Sequence, residues 1–297
     1  MGVNLSNQHL LLIYMVMGGI PFYLSKIKKN RSATQIIEEL AFSSRALLLE
    51  EFENLFSSLF DESSSYIQII RMLAEHHEGI GKRTLLEMLG KSEVGGAGTQ
   101  KLQALADTGF IMSFKPLYHK KKGTYYRLID EYTLFYLKWI EPIKDTLSAE
   151  AVETGCWQAT QNTPRWYNWQ GYAFEAVCYK HLREIRKALA LLPNAMPSTW
   201  RYISTKGHAE SGTQIDLLFD RQDDAITLCE IKCTDQPFVI NKEYVDILQQ
   251  KIAIFKAKTK TRKQLFMTMI SANGIKDNYY AEHLIQKTVT LDDLFNT

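Results

Sequence analysis

The apolar residues in the C-terminal part of the chain fall into short runs whose spacing changes several times. Around residues 174–185 they recur every three or four positions, as on one face of a helix, and after residue 200 they alternate or cluster as in strands. This pattern predicts a helix, three strands, a second helix and a fourth strand. The predicted elements are a helix at 170–187, strands at Trp200–Thr205, Gln214–Asp220 and Ile226–Lys232, a helix at 241–257 and a strand at Gln264–Ile270.

Three charged residues interrupt the apolar pattern of the predicted hairpin: Asp216 on its first strand, and Glu230 and Lys232 on its second. Because side chains alternate across a strand, Glu230 and Lys232 project to the same face and continue the apolar row of Ile226 and Leu228. A charge within an apolar strand is costly unless it has a partner or a role. One interpretation is a salt bridge between Lys232 and either acid at the edge of a sheet; the other is a catalytic site.

The catalytic interpretation depends on the chemistry of two carboxylates beside an ammonium group. Carboxylate oxygens are preferred ligands of Mg²⁺ and Mn²⁺, and such an ion polarises a phosphodiester and activates a water. A nearby lysine can orient that water or stabilise the negative charge that develops. Asp216 and Glu230 are therefore candidate metal ligands and catalytic residues, and Lys232 is a third candidate catalytic residue.

The spacing Asp-x13-Glu-x-Lys resembles the core motif of the PD-(D/E)xK nucleases, and the predicted element order resembles that of restriction endonucleases. The resemblance implies Mg²⁺ or Mn²⁺ as the cofactor and the backbone carbonyl of Ile231 as a further metal ligand. It also implies a catalytic role for Glu175, because in that family a glutamate on the first helix often joins the active site. The alternative for Glu175 is a solvated helix residue.

The second predicted helix carries candidate contacts to nucleic acid. Gln249 and Lys251 are expected to point into the cleft, where they can contact the substrate. The segment from Lys251 to Lys263 is basic, and it also contains Lys256, Lys258, Lys260 and Arg262.

Residues 61–143 predict a winged helix, a variant of the helix-turn-helix made of three helices and a β-hairpin. The helices are expected at Tyr66–His77, Lys82–Leu89 and Thr99–Thr108, and the strands at Phe110–Phe114 and Tyr125–Leu128. Lys120, Lys121 and Lys122 in the turn of the hairpin are candidate phosphate contacts, with an ordinary solvated turn as an equal alternative. Lys101, on the exposed face of the third helix, is a further candidate. Such a module binds DNA or a protein partner.

The segments on either side of the winged helix show no catalytic pattern. Residues 1–60 predict several short helices, and residues 144–165 are polar and predict a linker. Trp157, Trp166 and Trp169 lie near the end of this linker. Packing between domains is favoured for them over a surface on which bases stack.

Composition limits the possible classes of protein. The net charge of +2 over 297 residues is too small to indicate nucleic-acid binding by itself. Four cysteines without zinc-binding spacing are typical of reduced thiols in a cytosolic protein. The apolar run Leu10–Ile20 is short and contains two glycines, so neither a signal peptide nor a membrane span is expected. The segment Gly79–Thr84 lacks the spacing of a phosphate-binding P-loop.

Short segments along the whole chain resemble, in the same order, the C-terminal two thirds of prokaryotic AAA-type ATP-binding proteins that end in a PD-(D/E)xK-like domain. The matching segments are Gly18–Leu24, Glu51–Phe52, Asp130–Tyr136, Trp169–Glu175, Gln214–Leu217 and Cys229–Lys232. The resemblance implies an α+β multidomain chain. Its parts are a helical lid-like segment at 1–60, a winged helix at 61–143, a linker at 144–165 and a restriction-endonuclease-like α/β domain at 166–297.

The P-loop ATPase module of that family is absent from the sequence, so ATP hydrolysis by this chain alone is not expected. A split or truncated gene product and a partner of an ATPase supplied in trans are the alternatives. The expected function is metal-dependent hydrolysis of DNA phosphodiester bonds in the cytoplasm. The alternative is a non-catalytic DNA-binding or interaction module of an AAA-type ATPase system, which the low net charge slightly favours.

Overall fold

The computed structural model describes residues 5–90, 93–118, 123–149, 155–204 and 212–295. Over these residues the chain is a mixed α+β protein whose strands form two sheets. It divides into two compact units, of which the first comprises Met1–Ser113 and Gly123–Val177 and the second comprises Phe114–Lys122 and Cys178–Thr297. No helix in the described part combines the length and the apolar composition that crossing a membrane requires.

Helices dominate the start of the first unit. They are α1 (Asn7–Met17), α2 (Pro21–Leu24), α3 (Ala33–Ala41) and α4 (Leu47–Leu59). The hydroxyl groups of Ser6 and Ser32 cap α1 and α3 by accepting backbone N–H groups of the first turn. Gly18 follows α1 at φ 62°, and a Cβ there would lie 3.2 Å from Oε2 of Glu131. The helical pattern that the sequence predicts for this segment is therefore present.

Three short strands follow among further helices. The elements are α5 (Ser63–Ala74), β1 (Ile80–Gly81), α6 (Lys82–Leu89), α7 (Gly96–Asp107), β2 (Ile111–Phe114) and β3 (Tyr125–Leu128). The strands form a sheet in the order β1-β3-β2, with β1 antiparallel to β3. Three helices followed by two strands is the order that the sequence predicts here. The pattern does not predict β1, because two residues are too few to show an alternation.

The last part of the first unit is rich in aromatic residues. It consists of α8 (Glu131–Phe135), a π-helical turn (Tyr136–Ile140), a 3-10 turn (Glu141–Ile143), α9 (Lys144–Ser148), α10 (Cys156–Thr160) and most of α11 (Pro164–Lys180), whose residues from Cys178 onward belong to the second unit. Part of the segment predicted as a linker is therefore helical. Trp157, Trp166 and Trp169 are buried, and Trp157 meets Trp139 edge to face at 5.6 Å. These rings belong to the core of the first unit, which excludes a base-stacking surface at these positions.

The second unit alternates strands and helices. Its elements are α12 (Leu182–Ala188), β4 (Met196–Tyr202), β5 (Thr213–Asp220), β6 (Ala225–Lys232), α13 (Lys242–Thr259), β7 (Gln264–Ser271), α14 (Tyr279–Leu284), β8 (Ile285–Val289) and α15 (Leu291–Phe295). The single helix predicted at 170–187 is wrong: α11 ends at Lys180 and α12 begins at Leu182. His181 between them has φ −106° and ψ 30°, outside the helical region.

The strands of the second unit form one sheet in the order β4-β5-β6-β7-β8. Strands β4, β5 and β6 are antiparallel neighbours, whereas β6, β7 and β8 run parallel. A parallel neighbour requires a long crossover, and α13 supplies it between β6 and β7. The turn between β5 and β6 is short, and Asp224 adopts φ 57° in it. Strand β6 is buried from Ala225 to Ile231, so Glu230 lies in the interior of the unit, whereas Lys232 at the end of the strand is partly exposed.

Helix α13 covers the hairpin side of this sheet. Its buried residues Leu248 and Phe255 pack with Leu218 of β5 and Leu228 of β6 in one hydrophobic cluster. Asn241 caps the helix, since its side chain accepts the N–H of Tyr244 at 2.9 Å. Leu218 and Leu228 lie two residues from Asp216 and Glu230 respectively, so the face that carries the acids is the face that α13 covers.

Candidate active site

The β5–β6 hairpin brings the two predicted acids to the same end of the sheet. The pairing of these strands runs from Asp220 opposite Ile226 to Leu217 opposite Cys229. Asp216 and Glu230 are the next residues beyond this last pair. Both side chains are buried, with exposed fractions of 8% for Asp216 and 2% for Glu230. The structure thus brings the predicted carboxylates together in the interior of the second unit.

Backbone hydrogen bonds fix the position of Asp216. Its Oδ2 accepts the N–H of Ile231 at 3.1 Å, so a side-chain hydrogen bond joins the two strands beyond their last paired residues, Leu217 and Cys229. Its main-chain carbonyl accepts the hydroxyl of Tyr179 at 2.7 Å. A carboxylate held by a backbone amide has little rotational freedom, which is what a preorganised ligand requires.

Glu230 is held by three side chains. Its Oε1 accepts the hydroxyl of Tyr244 at 2.8 Å and lies 3.0 Å from Nζ of Lys232. Its Oε2 accepts a hydrogen bond from Nζ of Lys251 at 2.6 Å. The side chains of Lys232 and Lys251 retain exposed fractions of 32% and 18%, so solvent reaches the cluster from the lysine side.

One stripe of α13 supplies two of these partners. Tyr244, Leu248, Lys251 and Phe255 are three or four positions apart, and residues with this spacing lie on the same face of a helix. Leu248 and Phe255 anchor the stripe in the core, which directs Tyr244 and Lys251 toward Glu230. The ammonium group of Lys232 also lies 5.7 Å from the centre of the Tyr244 ring.

Burial and mutual repulsion act together on Asp216. Removal of the carboxylate from water raises its pKa, and the negative charge of Glu230 raises it further. Lys251, the N–H of Ile231 and Lys232 oppose these effects only in part, so the pKa of Asp216 is raised to about 6. At neutral pH this carboxylate is therefore ionised at a free-energy cost, which a further nearby positive charge would reduce.

The balance for Glu230 has the opposite sign. Burial acts to raise its pKa, but the charges of Lys232 and Lys251 and the hydrogen bonds from Lys251 and Tyr244 outweigh burial, and the pKa is lowered. Burial likewise acts to lower the pKa of Lys232, but Glu230 outweighs it and the pKa of Lys232 is raised. Glu230 and Lys232 thus form a stable ion pair beside the strained Asp216.

The donor set at this site suits a hard divalent cation of the Mg²⁺ type. Among the described residues no group of three or more His, Cys, Asp or Glu side chains is placed to hold a metal ion. Mg²⁺ is commonly bound by one or two carboxylates, with water and substrate phosphate completing its shell. Asp216, Glu230 and the carbonyl of Ile231 match that requirement in chemistry. Lys251 occupies Oε2 of Glu230 in this structure, so metal binding there requires that lysine to move.

The remaining candidate residues have different surroundings. Glu175 is half-buried on α11, one helical turn before Tyr179, and its catalytic role stays a prediction. Gln249 is exposed on α13, one residue outside the stripe that reaches the acids. Lys101 is held by Glu93 at 2.8 Å, and its side chain is only 14% exposed. Lys120, Lys121 and Lys122 lie outside the described residues.

Two residues of the site were missed by the sequence reasoning. Tyr244 and Tyr179 are common core residues at helical spacing, and nothing in their identity distinguishes a structural tyrosine from one that positions an acid. The available signal was the helical spacing of Tyr244 and Lys251 on one stripe with Leu248. A lysine on the apolar face of a helix needs an anionic partner. Of the acids predicted for the site, Glu230 is the one nearest to Lys251 in sequence.

Comparison with known proteins identifies a distant relative. Over 232 residues the chain is 27% identical to the uncharacterized protein MJECL04 of Methanocaldococcus jannaschii. The alignment covers 77% of this chain and 48% of that protein, so the chain spans about half the length of the relative it matches. No protein-family profile matches the chain, and no solved structure matches it. The interpretation of the site therefore depends on its own geometry.

Proposed function

We propose that the chain is a metal-dependent nuclease that hydrolyses DNA phosphodiester bonds at the hairpin site. The observation that carries this proposal is the buried pair of Asp216 and Glu230 on adjacent strands, with Lys232 3.0 Å from Glu230. Two buried acids are costly for a fold, and the raised pKa of Asp216 shows that the protein has not fully compensated for this cost. A pair of buried acids of which one has a perturbed pKa is a feature typical of an active centre.

The residues have distinct roles in the proposed reaction. Asp216, Glu230 and the Ile231 carbonyl would hold Mg²⁺ or Mn²⁺, which when bound supplies Lewis-acid polarisation of the phosphate and a water of lowered pKa. Lys232 stays protonated, because the pKa of its ammonium group is raised. It therefore acts as a hydrogen-bond donor that orients the attacking water and stabilises the developing negative charge. Tyr244 holds Glu230 in place through its hydroxyl.

The surrounding elements support the same assignment. In the second unit, a mixed sheet with a central antiparallel hairpin and a crossover helix agrees with a restriction-endonuclease-like domain. In the first unit, three helices followed by two strands agree with a winged helix that binds DNA or a partner. An AAA-type ATPase supplied in trans, and a catalytic role for Glu175, are further parts of the proposal that rest on the resemblance in sequence.

The test is cleavage of supercoiled plasmid, single-stranded DNA and RNA in Mn²⁺, comparing the wild type with Asp216→Asn and Lys232→Ala. We expect nicking by the wild type and a loss of two orders of magnitude or more in each variant. Lys287→Ala is the control, because Lys287 is exposed on β8 of the same sheet and lies outside both the acid cluster and the basic segment. Cleavage at the wild-type rate by Asp216→Asn would show that the activity arises elsewhere.

A second candidate function is a non-catalytic DNA-binding or interaction module. The contacts of Glu230 favour this function, because both of its carboxylate oxygens already have partners. Oε1 accepts a hydrogen bond from Tyr244 and pairs with Lys232, and Oε2 accepts a hydrogen bond from Lys251. In that case the cluster is a neutral structural element of the second unit. DNA binding by the wild type without cleavage of any substrate in Mn²⁺ would support this alternative over the nuclease.

A further inference from the structure

The acidic pair is electrically neutralised from within the protein. Asp216 and Glu230 carry two negative charges, and Lys232 and Lys251 carry two positive charges beside them. Adding a divalent cation to this cluster would leave two uncompensated positive charges in a largely buried place. Uncompensated buried charge costs several kcal/mol per ion. A metal can therefore bind favourably only if one of the lysines leaves.

Contacts distinguish the two lysines. Lys232 shares Oε1 of Glu230 with the hydroxyl of Tyr244 and lies over the Tyr244 ring, so its departure would leave Oε1 occupied. Lys251 is the partner of Oε2, and its departure frees a whole carboxylate oxygen by one side-chain movement. Its four-carbon stem is flexible and extends from a helix, not from the central strand. Lys251 is therefore the cation that a metal would displace.

A surface depression provides a place for the displaced ammonium group. It has a volume of about 230 Å³, and Lys251 lines it together with Gly212, Thr213, Gln214 and Gln250. The volume is below the roughly 300–1,000 Å³ of sites for drug-sized ligands, and it suits a phosphate group with its waters. Lys251 lies at the border of this depression and the acidic pair, because it both lines the depression and contacts Glu230.

We propose that Lys251 is a displaceable counter-ion, which occupies Glu230 in the metal-free protein and turns into the depression to bind a backbone phosphate when a divalent cation binds. The inference rests on the proposed nuclease function and adds a coupling between metal and substrate. Metal binding releases the ammonium group, and the phosphate that the group then contacts compensates the positive charge of the loaded site. The free protein thus keeps a low metal affinity until a phosphodiester is present.

The first test measures metal affinity without catalysis, by electron paramagnetic resonance of free Mn²⁺ during titration. Lys251→Met retains most of the stem and removes the charge, so we expect its Mn²⁺ dissociation constant to fall on the order of tenfold. Lys242→Met is the matched control, an exposed lysine of the same helix outside the basic segment, and should leave the constant unchanged. Asp216→Asn assigns the bound ion to this site by abolishing its binding. In Ca²⁺, Lys251→Met should bind a short DNA duplex more weakly than the wild type.

A second measurement uses the wild-type protein and so does not depend on the folding of a variant. Acetylation of individual lysines, followed by mass spectrometry, should be slow at Lys251 without metal and several-fold faster with saturating Mn²⁺. Acetylation of Lys242, which is exposed on the same helix, should not change. Equal acetylation of Lys251 in the free and the metal-loaded protein would overturn the inference.

The outcomes separate the inference from the proposed function. If the wild type binds Mn²⁺ and the dissociation constant of Lys251→Met is equal or higher, the proposed role of Lys251 as a displaceable counter-ion is wrong. The proposed nuclease function would not be affected by that result. Failure of both proteins to bind Mn²⁺ would overturn the proposed function and, with it, the inference.

Discussion

Two carboxylates on neighbouring strands differ because their hydrogen-bond partners differ in charge. Glu230 faces two ammonium groups and a tyrosine hydroxyl, whereas Asp216 accepts the neutral N–H of Ile231. Burial acts to raise both pKa values. The ammonium groups outweigh burial at Glu230, whose pKa is lowered, whereas burial and the charge of Glu230 prevail at Asp216, whose pKa is raised to about 6. Ionised Glu230 stabilises the fold, whereas ionised Asp216 destabilises it. We therefore expect neutralising the two acids to have opposite effects on the free energy of unfolding.

Replacing Asp216 by Asn should stabilise the protein at alkaline pH. The folded state binds the proton of Asp216 more tightly than the unfolded chain does, with pKa values of about 6 and 3.8. Its contribution to stability is therefore complete below pH 4 and is lost as the pH rises through 6. In urea unfolding with EDTA present, Asp216→Asn should gain about 1–3 kcal/mol over the wild type at pH 8 and little at pH 4. An equal difference at both pH values would contradict the assigned charge effect.

Replacing Glu230 by Gln should have the reverse effect in the same experiment. Glu230 stabilises the fold above the pKa of 4.5 that it has when unfolded, and this stabilisation is lost as the pH falls through its lower folded-state value. Glu230→Gln also leaves Lys232 and Lys251 without their carboxylate, a loss of about 3 kcal/mol at pH 7. Asp246→Asn, an exposed acid on α13, is the control and should change stability by less than about 0.5 kcal/mol.

At the scale of elements, α13 links the stability of the fold to the geometry of the site. The same helix covers the hydrophobic cluster with Leu248 and Phe255 and contacts Glu230 through Tyr244 and Lys251. Its first turn depends on a side-chain cap, because Asn241 accepts the N–H of Tyr244 at 2.9 Å. A less stable first turn should therefore weaken the hydrogen bond between the Tyr244 hydroxyl and Glu230.

Replacing Asn241 by Ala should cost about 1 kcal/mol of stability, the usual value for a lost helix cap. Amide hydrogen exchange should also become faster at Tyr244, because its N–H loses the acceptor that protects it. Asn241→Asp retains an acceptor at the positive end of the helix dipole and should be at least as stable as the wild type. Unchanged exchange at Tyr244 in Asn241→Ala would show that the cap does not hold the turn in solution.

The sequence predicts those helices and strands whose own apolar pattern reflects their burial in the fold. Strands β5 and β6 were predicted because their apolar residues alternate or cluster as in strands. The acids that interrupt this pattern, Asp216 and Glu230, lie close together in the structure. Strand β8 was not predicted: its Gln286 and Lys287 are exposed, and it depends on parallel pairing with β7, which no local pattern encodes. The break at His181 was missed for a similar reason, since apolar spacing continues across it.

The candidate site was predictable in its acids but not in its partners. Asp216, Glu230 and Lys232 are conspicuous because each is a charge in an apolar strand. Lys251 was predicted as a contact to nucleic acid, whereas in this structure it is the ion-pair partner of Glu230. The choice between those roles depends on how α13 packs on the sheet, which is a tertiary property that the helix sequence leaves open.

At the scale of the whole molecule, charge is nearly balanced. Thirty-five basic and 33 acidic residues give a net charge of +2, so the proposed binding of DNA would depend on local clusters of cations and not on long-range attraction. One cluster follows the site along the chain: Lys256, Lys258 and Lys260 near the end of α13, and Arg262 beyond it, are all exposed. Lys256 and Lys258 lie on the helix that carries Lys251, so under the proposed function this cluster is a candidate group of phosphate contacts.

The salt dependence of DNA binding should reveal how many phosphates the chain contacts. Each phosphate contact contributes about −0.9 to the slope of log affinity against log salt, so the four cations of this cluster predict a slope of about −3.6 for duplex DNA in EDTA, where Lys251 stays paired with Glu230. Joint replacement of Lys256 and Arg262 by Ala should bring the slope to about −1.8. Replacing Lys120, Lys121 and Lys122 by Ala should change it only if the predicted winged helix also contacts DNA through these residues, and a wild-type slope near −6 would require such additional contacts. A slope unaffected by the Lys256 and Arg262 replacements would remove the end of α13 from the DNA interface.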